Sequence, residues 1–550
     1  MMARVSRRAL LALALCGAFD APGIGPAPVR GENLQGCIDD FDPETDYFPH
    51  KAILEVAELF SIEYHNYYKI VRNTEDDKTY VLVQCGAPAP SAEELSAINV
   101  TEVDFTIDVP LTNVALQYST MEAFFGMLGE RRKVQAILGT SYSTESCMME
   151  LVDDGLIVEL DDALASANAS YVNEQGLVAT NPNLEKEFSV DNLVGFVGRT
   201  GWNAKEYPFP FVRSSGTMEP TREGLFEKVK FYSAFLNKEE RANYLWGQVQ
   251  TRLDCVQANA AAVEPVKGEK TKILWAGYSG YCKGWNVART GPFFYHDFAK
   301  VCSAELLHAE MGGDLVSEVE ACQSPERRYM SPEDFFEFGK DADVWLWNGP
   351  SPPPLDDANI FTEEVKAFKA FQNQELYFPG GSTGWYDQAN MQPDVLTEDI
   401  CSIAGTLDLE DGSEYQRKWY SNAFTLDVNT PNPTCEELGG IDAPRETQGS
   451  NCAFRTTTGE ATTTEATADP SESKANEATT SATEATTTSA TEATAPETET
   501  AETETTADPP KDTETSEFVS SNEDSSAPST VAGTMASVVT CLALVNTWLI

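Results

Sequence analysis

The stretch Thr112–Gly139, TNVALQYSTMEAFFGMLGERRKVQAILG, decides the fold class. Its first residues, around Val114 to Leu116, form a short apolar run. An amphipathic helical segment follows to Gly129, and Lys133–Gly139 is a second apolar run that ends in the polar loop TSYSTES. A strand, a helix and a strand within so short a length predict a βαβ unit with parallel strands.

Upstream, YYKIVRN (Tyr67–Asn73) and KTYVLVQCG (Lys78–Gly86) flank the polar turn Thr74–Asp77 and read as a hairpin. Downstream, Leu225, Val229, Tyr232, Phe235, Ala242, Leu245, Val249, Leu253 and Val256 recur at helical spacing. Asn237 and Glu240 have capping-box-like spacing, where a kink can divide the run. The strand and helix alternation then resumes in TKILWAGYSG (Thr271–Gly280), ADVWLWNG (Ala342–Gly349) and EEVKAFKAFQNQELYFPGG (Glu363–Gly381). The expected fold class is α/β, with two doubly wound lobes joined by a long rigid helix and followed by a disordered stalk. The expected boundaries are an extension over 31–66, an amino-terminal lobe over 67–222, a linking helix over 223–262, and a carboxyl-terminal lobe with its extension over 263–455.

The chain ends have a different character. Arg4, Arg7 and Arg8 precede the apolar run Ala9–Phe19, which is too short to span a bilayer, so 1–30 reads as an export signal. Residues 456–530 carry 17 acidic and 2 basic residues among Thr, Ser, Ala and Pro, with almost no apolar bulk. Such a segment cannot offset its chain entropy by burial and reads as a disordered, O-glycosylated stalk. The uncharged tail 531–550 follows small residues at Ser525, Ser526 and Ala527, the pattern of a GPI signal. A single transmembrane anchor is the alternative, although no Lys or Arg follows it. The sequons at Asn99 and Asn168 suit an exported glycoprotein on the outer face of the plasma membrane. Outside signal and tail remain ten cysteines, an even number that favours disulfides, without a CxxC pair.

The formal charge of −49 excludes a sequence-independent nucleic-acid binder and a basic lipid-docking surface. Gly380–Gly384 fits G-x-S-x-G around Ser382, but His50, His65, His296 and His308 all precede it, so the usual triad order cannot form. His296-Asp297 and His308-x-Glu310 lack the spacing of a transition-metal site, and no phosphate-binding glycine loop follows a strand. No catalytic residues, metal ligands or cofactor are expected. What remains is a set of aromatic residues placed just after strands, where open α/β sheets bind ligands. They are Tyr118, Tyr142, Tyr278, Tyr281, Trp285 and Trp385, with Arg199, Arg213 and Arg289 from neighbouring loops. Trp345 and Trp347 lie within a strand, where core packing is expected of at least one.

The order of segments resembles the class III periplasmic binding proteins for ferric siderophores, haem or cobalamin. VALQYSTMEAFFGMLGERRKVQAIL resembles their first strand, helix and second strand, and LFEKVKFYSAFLNKEERANYLWGQVQTRL resembles the helix between their lobes. SPEDFFEFGKDADVWLWNG and VKAFKAFQNQELYFPGGSTGWYDQANMQPDVLTEDICSIAG resemble the closing half of their second lobe, so the resemblance covers roughly 67–405. It implies a non-catalytic protein that holds a metal chelate between lobes permitting only small closure. The aromatic residues would pack on the chelate, and Arg199, Arg213 or Arg289 would bind its acidic oxygens. In bacteria the family delivers its ligand to an ABC permease. With a stalk, sequons and a lipid anchor, this chain is similar to algal surface proteins linked to siderophore-iron uptake. A membrane transporter or endocytic receptor is then the expected partner, and cobalamin, haem or an adhesive role are the alternatives.

Overall fold

A computed structural model describes residues 33–138, 143–160, 193–198, 209–214, 219–289, 294–309, 329–349, 351–380, 384–428, 432–451 and 454. The expected signal, stalk and tail lie outside these residues. The amino-terminal portion forms a four-stranded sheet, β1 (Phe60–Tyr64), β2 (Tyr68–Asn73), β3 (Lys78–Gln84) and β4 (Phe105–Val109), in that order. The hairpin read from the sequence is the antiparallel pair β2–β3, whereas β3 and β4 run parallel. Between them lies the short helix α1 (Ala92–Ala97), opened by a capping box from Ser91 and Glu94.

The Thr112–Gly139 stretch supplies β5 (Asn113–Leu116), α2 (Glu122–Met127) and β6 (Val134–Leu138). With β7 (Val158–Leu160), β8 (Leu193–Val197) and β9 (Phe211–Arg213) these strands form a sheet of order β7-β6-β5-β8-β9. Every pairing in it is parallel, as the βαβ reading requires. The helix α3 (Ser146–Asp153) follows the β6 loop.

The expected single linking helix is two helices. The first, α4 (Arg222–Leu236), is capped by Thr221 and ends on Asn237, whose left-handed backbone (φ +56°) terminates it. After a sharp reversal, α5 (Glu239–Lys267) runs back along α4, so that Phe226 and Lys230 both reach the Trp246 ring. The Asn237 spacing marks a hairpin rather than a kink. Only α5 then continues past the first sheet. Its Ala242, Leu245, Val249 and Leu253 belong to the amino-terminal core, and its Val256 and Ala260 to the carboxyl-terminal one.

The second lobe is a mixed sheet of order β13-β11-β10-β14-β15-β16, with β12 also on β10. Its strands are β10 (Lys272–Ser279), β11 (Gly284–Val287), β12 (Glu305–Leu307), β13 (Tyr329–Met330), β14 (Val344–Trp347), β15 (Leu376–Pro379) and β16 (Tyr420–Asn422). The strands β10, β12, β14 and β15 run parallel, and β11, β13 and β16 run antiparallel to their neighbours. Its helices are α6 (Phe294–Val301), α7 (Pro332–Gly339), α8 (Glu363–Lys366), α9 (Lys369–Gln372), α10 (Trp385–Gln388) and α11 (Pro393–Ile403). Pro opens both α7 and α11, where its missing N–H costs no intrahelical bond. The last helix packs on α5.

From β16 the chain returns to the first lobe as a strap. The Cys147–Cys435 disulfide ties the strap to α3 across 288 residues of sequence. Arg131 donates to the Ala443 carbonyl (2.6 Å), and Arg445 N donates to the Gly126 carbonyl (2.9 Å). Two more disulfides, Cys37–Cys85 and Cys302–Cys401, lie within single lobes, and Cys255 and Cys282 are disulfide-bonded as well. All eight cysteines among the described residues are thus disulfide-bonded, as the even cysteine count predicts.

Candidate functional site

The segments that follow β5 and β6 in the first sheet and β15 in the second touch one another. On the first lobe, Gln117 N donates to the Phe196 carbonyl (3.0 Å), and Gly198 N donates to the Gln117 side chain (2.8 Å), which fixes the ends of β5 and β8 together. The half-buried Tyr118 follows β5, and one edge of its ring abuts Gly198. A Cβ at Gly198 would stand 2.2 Å from that ring, so only glycine allows the contact. On the second lobe, Tyr278 sits near the carboxyl end of β10, and Tyr281 lies in the turn beyond it with 47% of its surface exposed. Trp385 opens α10, which follows β15, and packs edge-on against Trp419 and Tyr420.

Two groups of contacts join the lobes there. Helix α10 packs beside the single turn Ser119–Met121 that follows Tyr118. Gln388, at its end, donates to the Thr144 carbonyl (3.2 Å), as does Asn432 from the strap (3.3 Å). At the second contact, Arg222 of α4 pairs with Glu223 (2.8 Å) and with Asp297 of α6. Burial pushes the Glu223 carboxyl up to about 7, with Arg222 opposing and the Asp297 charge adding to the rise. Two carboxylates that share one guanidinium out of water favour keeping a proton. Next to this group, the His296 ring lies 5.2 Å from that of His308.

The site residues read from the sequence separate into four groups. Tyr118, Tyr278 and Trp385 stand at carboxyl strand edges and are half-buried, and Tyr281 is exposed beyond one of them. Trp285 is a correction. It is an internal residue of β11, 1% exposed, stacked on Phe335 with ring centres 4.0 Å apart and 7° between planes. A ring so enclosed is core and cannot wall a cleft. The expected core packing of Trp345 and Trp347 holds for both, which join Trp285, Phe335, Phe361 and Phe368 in one cluster.

Of the arginines, Arg213 ends β9 but is nine-tenths buried. Asn73 and Tyr80 hold its backbone, and its guanidinium lies 5.5 Å over Phe211. Arg289 is 5% exposed; its backbone N donates to Tyr295 (3.2 Å) and its carbonyl bonds the His296 ring. Tyr142, Arg199, Ser382 and the Asn168 sequon lie outside the described residues. Asn99 is exposed in a left-handed turn (φ +61°). Among the described residues no cluster of three or more His, Cys, Asp or Glu is arranged to hold a metal ion. Sequence reasoning missed Thr144, Gln388, Arg222 and Asp297, the residues that join the lobes, because nothing local in the chain distinguishes them from ordinary loop and helix-end residues.

No family model matches the chain. A curated relative, an uncharacterized lipoprotein of Methanocaldococcus jannaschii, is 23% identical over 349 residues, 61% of this chain and 74% of that protein. Among solved structures, the chain is similar to a periplasmic haem-binding protein of Pseudomonas aeruginosa, with a TM-score of 0.35, 11% identity, and coverage of 53% of this chain and 92% of that one. It is similar too to the periplasmic vitamin B12 binding protein BtuF of Vibrio cholerae, with a TM-score of 0.34, 14% identity, and 54% and 97% coverage. A third is CeuE of Helicobacter pylori in its nickel–histidine complex, with a TM-score of 0.35, 14% identity, and 54% and 84% coverage.

Proposed function

We propose that this chain is a non-catalytic, cell-surface binding protein that captures a ferric siderophore or a similar metal chelate between its lobes for iron uptake. One observation carries the reading. The segments after β5, β6 and β15 meet, and Tyr118 and Trp385 in them, with Tyr278 near the end of β10, are half-buried. Partly exposed aromatic side chains suit a bulky chelate with apolar surface better than a free ion. The helix α5, shared by both cores, favours small adjustments of the lobes over wide hinge motion. In the same reading, 1–30 exports the chain, 456–530 holds the lobes away from the membrane, and 531–550 directs a lipid or transmembrane anchor. Asn99 and Asn168 carry sugars, and a membrane transporter or endocytic receptor accepts the ligand.

Titration of the purified protein with ferric hydroxamate, haem and cobalamin, followed by tryptophan fluorescence, tests this. Saturable quenching by a ferric hydroxamate, weakened at least tenfold in Tyr278→Ala, is the expected result. Quenching by haem or cobalamin alone would move the ligand class, and silence with all three would favour an adhesive role.

A further inference from the structure

A cavity of about 710 Å³ lies between the strap and the second lobe. It begins at the junction itself, because Gln388 and Asn432, which bond Thr144 across the lobes, also line it. Its volume is within the range of small-molecule sites. Gln388 stands one helical turn from Trp385, and Trp419 in the cavity wall packs edge-on against the Trp385 ring. A chelate resting on Trp385 therefore has this cavity beside it.

The charges of the lining cancel, Lys418 and Arg445 against Glu437 and Glu446. Lys418 donates to Gln448 (2.8 Å), Glu437 accepts from Thr434 (2.8 Å), and Glu446 pairs with Arg241 (2.9 Å). A charged group brought there would be desolvated with no surplus counter-charge to meet it. Neutral hydrogen-bonding groups are what remain. Gln388 is 3% exposed and donates to Thr144, but its Oε1 accepts nothing among the described residues. The Gln392 side chain makes no hydrogen bond among the described residues either. In the wall, the Nε1–H of Trp419, a residue 7% exposed, has no partner. Enclosed polar groups are normally matched, so unpaired amides beside a cavity point to a ligand that matches them.

Resting on the reading of the junction as a chelate site, we propose that this cavity is its outer compartment and receives an uncharged, amide-bearing arm of the chelate. The arm's carbonyl meets the Gln392 amide, its N–H meets Gln388 Oε1, and its apolar length lies along Leu438. The strap thereby takes part in choosing the ligand, through the charge of a group remote from the iron.

Ferrioxamine B is a ferric trihydroxamate with a pendant ammonium arm. N-acetylation makes that arm a neutral amide and N-succinylation makes it anionic, with the iron centre unchanged, while ferric acetohydroxamate has no arm. In tryptophan-fluorescence titrations of the full chain, the acetyl arm should bind more tightly than either charged arm by about tenfold. Gln392 caps α11, where an acid suits the helix N-terminus, so Gln392→Glu adds a negative charge to the lining without opposing the fold. That variant should lower the acetyl-to-ammonium affinity ratio by about tenfold. Equal affinity of the parent for the three arms would overturn the proposal, and this comparison decides alone if the variant melts low. A ratio unchanged in a well-folded Gln392→Glu would overturn it too. Either result, with ferric acetohydroxamate still bound, leaves the junction as a chelate site, whereas no quenching by any of the four chelates overturns both readings.

Discussion

The two halves of the molecule bury different chemistry. Around the first lobe the enclosed side chains include whole ion pairs: Lys69–Glu239 (2.5 Å), Arg131–Glu145 (2.8 Å) and Lys230–Glu227 (2.7 Å), each with both partners out of solvent. The second lobe encloses a slab of rings, Trp285, Phe335, Trp345, Phe361 and Phe368, in mutual contact. The first lobe also packs rings, around Phe196, Tyr232 and Phe235, but the slab of the second includes no ion pair among the described residues. The ion pairs sit where added pieces dock. Glu239, at the start of α5, also accepts from Asn33 (2.7 Å), and Glu227 accepts the backbone N–H groups of Glu55, Val56 and Ala57. Arg131 reaches the strap. Charges that must find one particular partner set register, whereas a ring slab supplies burial without specifying a neighbour's position.

The largest effects should come from deleting one member of each kind. Lys69→Met leaves Glu239 buried and uncompensated, and should cost about 3–5 kcal/mol in chemical denaturation. The double change Lys69→Met/Glu239→Leu should recover most of that loss, since an apolar pair of similar volume replaces a desolvated one. Trp285→Ala should also cost about 3–5 kcal/mol, but through a cavity, so no second substitution of a contacting polar group restores it. If the Lys69 double change remained as unstable as the single one, the contrast between the halves would fail.

A somewhat smaller loss is expected from the link between the halves. Cys147→Ser/Cys435→Ser opens a 288-residue loop, for which chain entropy gives an upper limit of about 5–6 kcal/mol. The strap keeps its Arg131 and Arg445 bonds, so the observed loss should fall toward about 2 kcal/mol. Protease sensitivity should rise in the strap before it rises in either sheet. Cleavage starting elsewhere would mean that the disulfide is not what seats the strap.

How much of this was legible in the chain depends on the range of the forces involved. The β2–β3 hairpin, β10, β14 and β15 follow from short apolar runs between turns, and Pro393 marks the start of α11, because these signals act over a few residues. The reversal at Asn237 was visible as a cap but not as a hairpin, since the continuous helical period conceals a left-handed residue. Trp285 was misplaced for a similar reason. The run Gly284–Val287 is too short to show alternation, so a strand that pairs back on β10 looks like loop. The strap and its contacts with α2, α3 and α5 join residues hundreds of positions apart, and nothing periodic in PNPTCEELGGIDAPRE announces them. Of the site, the residues after strands were legible by position, while the lobe-joining pairs Gln388–Thr144 and Arg222–Asp297 were not.

The second lobe has buried charges of its own, at its joint with α5, and these give a titratable exception to the contrast. Arg252 of α5 pairs with Glu398 and lies 3.6 Å from Asp394, while Asp399 accepts from the backbone of Lys418, Trp419 and Tyr420. Burial pushes Asp394 up to about 6, despite the pull of Arg252. A carboxyl whose pKa is higher folded than unfolded favours folding below its unfolded value of about 4, and that contribution is lost as pH rises through 6. Asp394→Asn should therefore match the parent near pH 4 and gain on it by about 2 kcal/mol at pH 8. A parent-to-variant difference that stays constant from pH 4 to pH 8 would place the charge of Asp394 in solvent.

The smallest expected effect separates the rings of the second lobe from one another. Tyr281 lies just before β11 but keeps 47% of its surface exposed, whereas Trp285, within that strand, keeps 1%. Tyr281→Ala should change stability by less than about 0.5 kcal/mol, against the several lost in Trp285→Ala, because an exposed ring leaves no cavity when removed. Any loss of chelate binding in Tyr281→Ala is then a loss of contact rather than of fold, and melting curves recorded with the fluorescence titrations distinguish the two. If Tyr281→Ala instead melted several degrees lower, the β10–β11 turn would be part of the ring slab, and the boundary between core rings and ligand-facing rings would have to move outward past it.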